Sequence, residues 1–468
     1  MYVPLIHTSV VLFCISVAMG VSAGEPTSDK AEEALDYSIS VFGPTHVFQG
    51  YGMRVGATVK KKSERGEIIA LSVDGLPAGA ECTFDFWSEN RLYHQGTGVI
   101  HIVTSQDTLT GDYILSIKAA SEKTKVERVA TYSIKVDPVP EPLPTVAVKS
   151  NPPIPLLDRW EKQMVTYGAK HSEGDIIEKR GTWEGNVWYY DGQRAYLQIA
   201  DYTKDPKWLE AAEKVERVYR DGYVLKNNGG TTGYRIFPHG LFEDYKRTGD
   251  ELSKKAALLL STRAAYTNHG GGVSTGLSRE TAYCLNAYMV AEDLGAPRHP
   301  KFDNALDYAL GHMDQWFVSK NFLEHNPEGS MPPFMVGLTS EALIQYYEKT
   351  KDPRIPHIVR TAMDWLWENA WVEGDESFYY RNKRPYQPAT EPLKGSADLN
   401  LLIAPAFAWL YHLTGDPTYR ERGDKVFVGG VKGAWLDGAK QFTQSYRWSF
   451  DYVKWRQNPP ASGNRRGP

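Results

Sequence analysis

Residues 334–371 read FMVGLTSEALIQYYEKTKDPRIPHIVRTAMDWLWENAW, and this stretch decides the fold. Its first half is apolar on nearly every side, which is typical of a helix that is buried all round. Its second half places apolar residues at helical spacing with charges between them, so it predicts an amphipathic helix. Between the halves, Asp352 can cap the second helix and Pro353 fits its first turn. The stretch therefore predicts a helical hairpin with a buried inner helix and a surface outer helix.

Similar hairpin turns recur along the chain. Short turns that lead into an amphipathic helix occur at 201–206, 244–250, 292–297 and 411–417. Such a repeat is the signature of a helical array in which neighbouring hairpins bury one another. Two helices are left over, an outer helix at 156–171 and an inner helix at 441–455. Pairing these two would complete six hairpins and close a ring.

Residues 36–137 are different in kind, because short alternating runs separated by Gly, Pro, Asn and Ser turns replace the helical pattern. That spacing predicts an antiparallel β-sandwich. The segments VDGLPAG at 73–79 and GDYILSI at 111–117 resemble immunoglobulin-like modules of secreted bacterial proteins. We expect a structural spacer here more than a sugar-binding module. The proline-rich residues 138–153 then predict a stiff linker.

The helical half, residues 154–457, resembles the (α/α)6 toroids of the six-hairpin glycosidase superfamily and of toroidal polysaccharide lyases. The recurrent Thr-Gly-Asp and Thr-Lys-Asp turns and the alternation of buried and amphipathic helices support this resemblance. It implies a carbohydrate-active enzyme, but it identifies no single family and therefore transfers no catalytic residue. The predicted fold is an immunoglobulin-like β-sandwich followed by an all-α (α/α)6 toroid, with a disordered tail at 458–468.

Residues 1–23 read as a signal peptide, because the apolar run at 10–21 is too short to span a bilayer and is followed by an acceptable cleavage site. We therefore expect a secreted or periplasmic protein without a membrane span. The net charge of -4 predicts no nucleic-acid partner. The 12% aromatic content mildly favours a glycan-binding protein, since sugar rings stack on aromatic faces. Cys82 and Cys284 fall in different predicted domains, which indicates isolated thiols and no disulfide framework.

The long connections from each outer helix to the next inner helix should lie together on one rim of the ring. They cover 226–239, 268–280, 321–334, 372–398 and 433–447. Functional sites are commonly built from long loops that a rigid scaffold gathers on one face. The inner helices begin at the same rim, so their positive ends converge there and suit anionic groups. We therefore predict the functional site at this rim.

The candidate residues are the aromatic, basic, amide and acidic side chains of these connections and helix starts. For catalysis they are His239, Tyr446, Arg279, Glu280 and Asn186. For substrate binding they are Trp188, Tyr189, Tyr190, Tyr234, Arg235, His269, Tyr283, His325, Lys440, Gln444 and Arg447. Each one taken singly has a structural role more often than a functional one. The number of such groups expected at one mouth is what favours a site.

One chemistry that fits this mouth is β-elimination from a uronate. A base removes the proton beside the sugar carboxylate, and cationic or amide groups neutralise the charge that results. His239 or Tyr446 could supply the base or the acid, and Asn186, Arg279 and Arg447 could surround the carboxylate. The basic tract at 381–384 also indicates an acidic substrate, and elimination is slightly preferred.

Two alternatives remain open. Hydrolysis needs two carboxyl groups that flank the glycosidic bond, and the candidates are Glu184, Asp191, Glu280, Glu328 and Asp398. A non-catalytic glycan-binding protein would use the same aromatic residues without a working acid or base. No HExxH, CxxC, Asp-rich calcium or phosphate-loop motif occurs, so the sequence predicts neither a metal nor a cofactor.

Overall fold

The computed structural model describes residues 37–61, 68–85, 91–93, 96–383, 385–387 and 392–460. The predicted leader at 1–23 and most of the predicted tail at 458–468 lie outside these residues. No helix within the described part of the chain is long and apolar enough to cross a membrane.

The N-terminal region is built from short strands in two sheets. The strands are β1 (Tyr37–Phe42), β2 (His46–Phe48), β3 (Gly52–Lys61), β4 (Ile68–Asp74), β5 (Glu81–Asp85), β6 (Arg91–Tyr93), β7 (Gly96–Val103), β8 (Gly111–Ser121) and β9 (Glu127–Asp137). One sheet has the order β1-β3-β7-β5 and the other β2-β9-β8-β4-β6. All described pairs of these strands are antiparallel except β2 with β9.

Both sheets contribute to one buried core, with Val55 and Ile100 from the first sheet and Leu115 and Ile134 from the second. Along β9 the buried residues alternate with exposed ones, as expected for a sheet with one face turned to solvent. The region is therefore a small, mostly antiparallel two-sheet unit. Its assignment to the immunoglobulin-like class is not confirmed.

Helices make up the rest of the described chain. They are α1 (Leu157–Ser172), α2 (Ile176–Arg180), α3 (Gly192–Thr203), α4 (Lys207–Glu216), α5 (His239–Thr248), α6 (Glu251–Arg263), α7 (Ser278–Asp293), α8 (Phe302–Met313), α9 (Phe322–His325), α10 (Pro333–Thr350), α11 (Arg354–Asn369), α12 (Ala404–Thr414), α13 (Pro417–Gly433), α14 (Ala439–Tyr446) and α15 (Ser449–Gln457). Helices α4 and α8 continue as π-helical segments, Arg217–Leu225 and Asp314–Val318. Two short strands, β10 (Trp371–Val372) and β11 (Ser377–Phe378), pair in the connection after α11.

The long helices form a double ring. Helices α3, α5, α7, α10, α12 and the α14–α15 pair form the inner ring, and α1, α4, α6, α8, α11 and α13 form the outer ring. Helix α14 contacts both α1 and α3, so the ring closes. At this closure the Tyr446 hydroxyl donates to the Trp160 carbonyl at 2.9 Å, and Trp160 Nε1 donates to Ser449 Oγ at 3.1 Å. The predicted pairing of the first outer helix with the last inner helix is confirmed.

The last inner helix differs from the prediction of one helix over 441–455. The chain leaves the helical conformation at Trp448, where φ is -129°, and a second helix begins at Ser449. Arg447 and Trp448 are both buried almost completely. The break therefore lies inside the core, between two helices that share one position in the inner ring.

The β region packs against the outer helix α8 and the segment that follows it. Asp314 accepts a hydrogen bond from the Thr45 amide at 3.0 Å and pairs with His46 Nδ1 at 3.1 Å. Asp307 pairs with Arg54 Nε at 3.2 Å. These buried charges fix the β region against the side of the ring.

Residues 138–156 contain neither strand nor helix and run along the ring. The Val146 amide donates to the Thr414 carbonyl at 2.6 Å, next to the short turn between α12 and α13. Further along, Asn151 Nδ2 donates to the Arg456 carbonyl at 3.0 Å. The linker is therefore attached to the ring at both points.

Candidate functional site

The inner helices begin at the rim that carries the long connections, as the sequence predicts. These connections are 173–191, 226–238, 264–277, 319–332 and 370–403, whereas the turns at the opposite rim are short. The last predicted connection, 433–447, is mostly helical, because only 434–438 separate α13 from α14. We call the opening at the long-connection rim the mouth, and the buried polar cluster beneath it the floor.

The floor is built around Glu341, a fully buried residue in the middle of α10. Arg194 Nη1 and Arg447 Nη2 each donate to its carboxylate at 2.7 Å. Burial alone would raise the pKa of Glu341, but the two guanidinium groups outweigh this effect and hold the pKa below its ordinary value. Arg447 Nη1 also donates to the Tyr283 hydroxyl at 3.3 Å. Glu341 is thus an ionised, fully engaged carboxylate that positions two arginines.

Asp191 lies beside this cluster at the start of α3. Both Tyr190 and Asp191 have φ of 64°, in the left-handed region that residues other than glycine rarely adopt. The Asp191 carboxylate accepts from the Arg194 amide at 3.3 Å and from the Gly240 amide at 3.2 Å, so it caps α3 and α5 together. Burial raises the pKa of Asp191. Two successive strained residues at the junction of two inner helices are typical of a functional site.

His239 opens α5 and completes the floor. Its Nε2 lies 2.8 Å from Gln345 Oε1, and its Nδ1 lies 3.8 Å from Asp191 Oδ2. Burial, with a further contribution from the Arg194 charge, lowers the pKa of His239 to about 3. The imidazole is therefore uncharged near neutral pH. Its side chain is 14% exposed.

The mouth holds three cations, Arg235, Arg279 and Lys440, which we call the cation trio. Lys440 Nζ lies 4.2 Å from the centre of the Tyr189 ring. The guanidinium groups of Arg235 and Arg279 each lie 5.2 Å from the centre of the Tyr234 ring. Burial lowers the pKa of Lys440, and the charges of Arg279 and Arg235 lower it further. The three positive charges therefore act on one another.

The carboxylates of the mouth compensate two members of this trio. Arg279 Nη2 donates to Glu280 at 2.6 Å, and Arg235 pairs with Glu184. Among the described residues, no carboxylate forms an ion pair with Lys440. The mouth therefore has an excess positive charge in a half-buried setting, which favours an anionic ligand.

Most of the predicted residues are brought together by the fold. Those at the mouth or directly beneath it are Tyr189, Tyr190, Tyr234, Arg235, Arg279, Glu280, Tyr283 and Lys440. Those on the floor are His239 and Arg447. The Tyr189 and Tyr190 rings meet edge to face at 4.9 Å. The buried Tyr189 and Tyr283 connect the trio to the floor, since Tyr189 packs against Lys440 and the Tyr283 hydroxyl accepts from Arg447.

Asn186 and Tyr446, both predicted to be catalytic, have structural contacts. The Asn186 amide donates to the carbonyls of Ile177 and Gly181 and accepts from the Val187 amide. The Tyr446 hydroxyl donates to a backbone carbonyl at the ring closure described above. Because these polar groups are buried and already bonded, we leave both residues out of the proposed site.

Several predicted binding residues also lie elsewhere or are engaged. Trp188 is buried and donates to the Trp183 carbonyl at 3.0 Å. Gln444 Nε2 donates to the Asp398 carbonyl at 2.7 Å. His269 is exposed beside the β region, in a cavity that Asp85 also lines. The side chain of His325 lies outside what the structure describes.

The remaining carboxylate candidate, Glu328, is exposed and pairs with Lys383 at 2.8 Å. A different acidic group, Glu216, Asp244 and Asp250, is compact enough to bind a cation. However, the Arg220 guanidinium pairs with both Glu216 and Asp250, so its positive charge already compensates this acidic group. Burial first, and then the Asp244 charge, raise the pKa of Glu216 to about 7.

Sequence reasoning missed Arg194, Gln345 and, above all, Glu341. A usable signal was present, because Glu341 is a lone charge in the otherwise apolar run of 334–344. A charge on a helix that is buried all round needs a buried partner. That partner could have been sought among the arginines of the other inner helices.

No protein-family model matches the chain, and no curated protein sequence matches it. Among solved structures, the chain is similar to a D-mannose isomerase, with 13% identity over 65% of this chain and 99% of the other and a TM-score of 0.45. It is also similar to a family 105 glycoside hydrolase from C. acetobutylicum ATCC 824, with 15% identity over 63% of this chain and 99% of the other and a TM-score of 0.47. These low scores carry no argument about function.

Proposed function

We propose that the protein is a carbohydrate-active enzyme that binds an acidic saccharide at the mouth. The observation behind this proposal is the cation trio, in which Lys440 lies half-buried next to Arg235 and Arg279 and pairs with no carboxylate among the described residues. A sugar carboxylate beside Lys440 would supply the missing charge through a charge-assisted hydrogen bond. The half-buried ring of Tyr234 would pack against the apolar face of the same sugar.

For the reaction we prefer β-elimination. His239 is the uncharged base of the floor. Burial is the main cause of its low pKa and the Arg194 charge the second, and a bound anion would offset the second. In this step the proton beside the sugar carboxylate moves to His239, the bond to the leaving oxygen breaks, and a carbon–carbon double bond forms. Arg279 and Lys440 neutralise the developing charge. Tyr234, which is half-buried beside Arg235 and Arg279, donates a proton to the leaving oxygen.

Hydrolysis is the second candidate, and the burial-raised pKa of Asp191 favours it. A carboxyl group that keeps its proton can act as the general acid of a glycosidase. The second carboxylate of a glycosidase cannot be Glu341, because both of its oxygens already accept from arginines. Glu280 would therefore have to be the second carboxylate. The buried Glu280 Oε2 accepts no hydrogen bond in the structure.

The test combines a panel of polyuronates and neutral glycans with two readouts, ultraviolet absorbance and new reducing ends. Both readouts rising together on an acidic glycan would support elimination, because only elimination leaves a conjugated double bond. Reducing ends without absorbance would support hydrolysis. Binding without any turnover would overturn the enzyme proposal and favour a glycan-binding protein.

Lys440→Gln tests the recognition step. We expect the KM or Kd for the acidic saccharide to rise at least about tenfold, equivalent to about 1.4 kcal/mol. Lys351→Gln is the matched control, since Lys351 is exposed and pairs with Glu348 at the short turn between α10 and α11, on the opposite rim. Equal affinities in the two variants would contradict the proposed role of the cation trio.

A further inference from the structure

Among the described residues of the long-connection rim, three large aromatic side chains are at least half exposed, although most aromatic residues of the ring are buried. Trp183 is 63% exposed, Trp435 is 61% exposed and Tyr380 is 50% exposed. Their positions are distinct, because Trp183 precedes α3, Trp435 precedes α14, and Tyr380 lies between α11 and α12. Exposed tryptophans at the same rim as a positively charged site suggest contact with a ligand.

The three rings lie on two sides of the mouth. Trp183 and Trp435 occupy neighbouring positions, because α14 and α3 are adjacent in the closed inner ring. Tyr380 stacks on Phe334 at the start of α10, with ring centres 5.7 Å apart and planes 11° apart. Helix α10 is the fourth inner helix and α3 is the first, and in a ring of six the first lies opposite the fourth. Tyr380 is thus across the mouth from Trp183.

Local packing holds two of these rings in place. A Cβ atom at Gly185 would lie 2.2 Å from the Trp183 indole, so the indole packs directly over the Gly185 backbone. The Trp183 carbonyl also accepts from Trp188 Nε1. The Tyr380 ring is fixed by its stack on Phe334. Such rings can bind with little loss of side-chain entropy.

The cation trio adjoins two of these rings. Glu184, the residue after Trp183, pairs with Arg235. Lys440 lies in the first turn of α14, the helix that Trp435 precedes. We propose that Trp183, Trp435 and Tyr380 form stacking subsites on both sides of the trio. The ligand is then a linear acidic oligosaccharide of at least three units laid across the mouth, with its charged unit at the trio. This inference rests on the proposed function.

The experiment measures the Kd of oligogalacturonates of increasing length by calorimetry. In the unaltered protein, affinity should rise from the monomer to the trimer and then level off. Trp183→Ala and Tyr380→Ala should each weaken trimer binding roughly tenfold, or about 1.4 kcal/mol, and leave monomer binding unchanged. Trp183→Phe should restore most of the loss. Leu109→Ala, at a position 70% exposed in the β region, is the control.

The outcomes separate this inference from the proposed function. An affinity that does not depend on length, or a loss in the alanine variants that is the same at every length, would overturn the subsites. Neutral cello-oligosaccharides that bind with the same dependence on length and on Trp183, while Lys440→Gln changes nothing, would keep the subsites and overturn acidic recognition.

Discussion

Replacing Glu341 by glutamine should destabilise the protein strongly. The change keeps the shape of the side chain but removes the charge that compensates Arg447, which is almost fully buried and whose other hydrogen bond among the described residues is to the Tyr283 hydroxyl. Arg194 keeps a longer contact to Asp451 at 3.4 Å. The new amide can accept from one guanidinium group, but its NH2 group then faces the other, donor against donor. Removing one partner of a buried ion pair costs about 3–5 kcal/mol, and we expect the lower end of this range.

The assay is urea unfolding at pH 7, since urea does not screen charges as guanidinium chloride does. A loss of about 3 kcal/mol is a large share of a typical free energy of unfolding of roughly 5–15 kcal/mol, and it should shift the midpoint without changing the slope. Glu376→Gln is the control, because its exposed pair with Lys432 should be worth less than about 1 kcal/mol. A loss below about 1 kcal/mol in Glu341→Gln would refute the description of the floor as a buried ion network.

The dependence on pH gives the same prediction a second check. The folded-state pKa of Glu341 is below the ordinary value of 4.5, so its stabilising contribution is complete above that value. The contribution is lost as the pH falls through the folded pKa. The difference in unfolding free energy between the unaltered protein and Glu341→Gln should therefore shrink in acid, and a difference that grows there would contradict the assigned charge state.

Three further outcomes are expected. The pKa of His239 is about 3 in the folded state and 6.5 in the unfolded chain, so the free energy of unfolding falls as the pH drops below 6.5. His239→Gln should reduce this slope, measured by urea unfolding at several pH values, by up to about 1.4 kcal/mol per pH unit. Asp191→Ala, which uncaps two buried helices, should lower the melting temperature more than Asp416→Ala, which uncaps only α13; equal losses would argue against the double cap. Gly429→Ala would place a Cβ atom 1.8 Å from the Glu376 carbonyl and should cost about 1–3 kcal/mol or more by urea unfolding, whereas Gly374→Ala meets open space and should be nearly neutral.

The hairpins and the closed ring were predictable because their signals are local. Each short turn is encoded within a few residues, as Asp352 and Pro353 show, and the closure follows from counting helices. The floor was not predictable in this way, since Glu341 binds Arg194 and Arg447, which are 147 and 106 residues away. Position along the chain also does not reveal where a side chain points. The sequence predicts Asn186 at the start of the first inner helix, but it lies in the connection before α3, where its amide turns inward to the Ile177 carbonyl.

The ring closure also determines what the ends of the helical region can do. Asn151, just before α1, donates to the carbonyl of Arg456 near the end of α15, so the entry and exit of the ring are within hydrogen-bonding distance. A linear array has end repeats with one uncovered face, whereas every hairpin here has two neighbours. A short peptide could therefore join the two ends, and new termini could be opened at any of the short turns. The contacts between hairpins fix their order around the ring, and this order does not depend on which hairpin comes first in the chain.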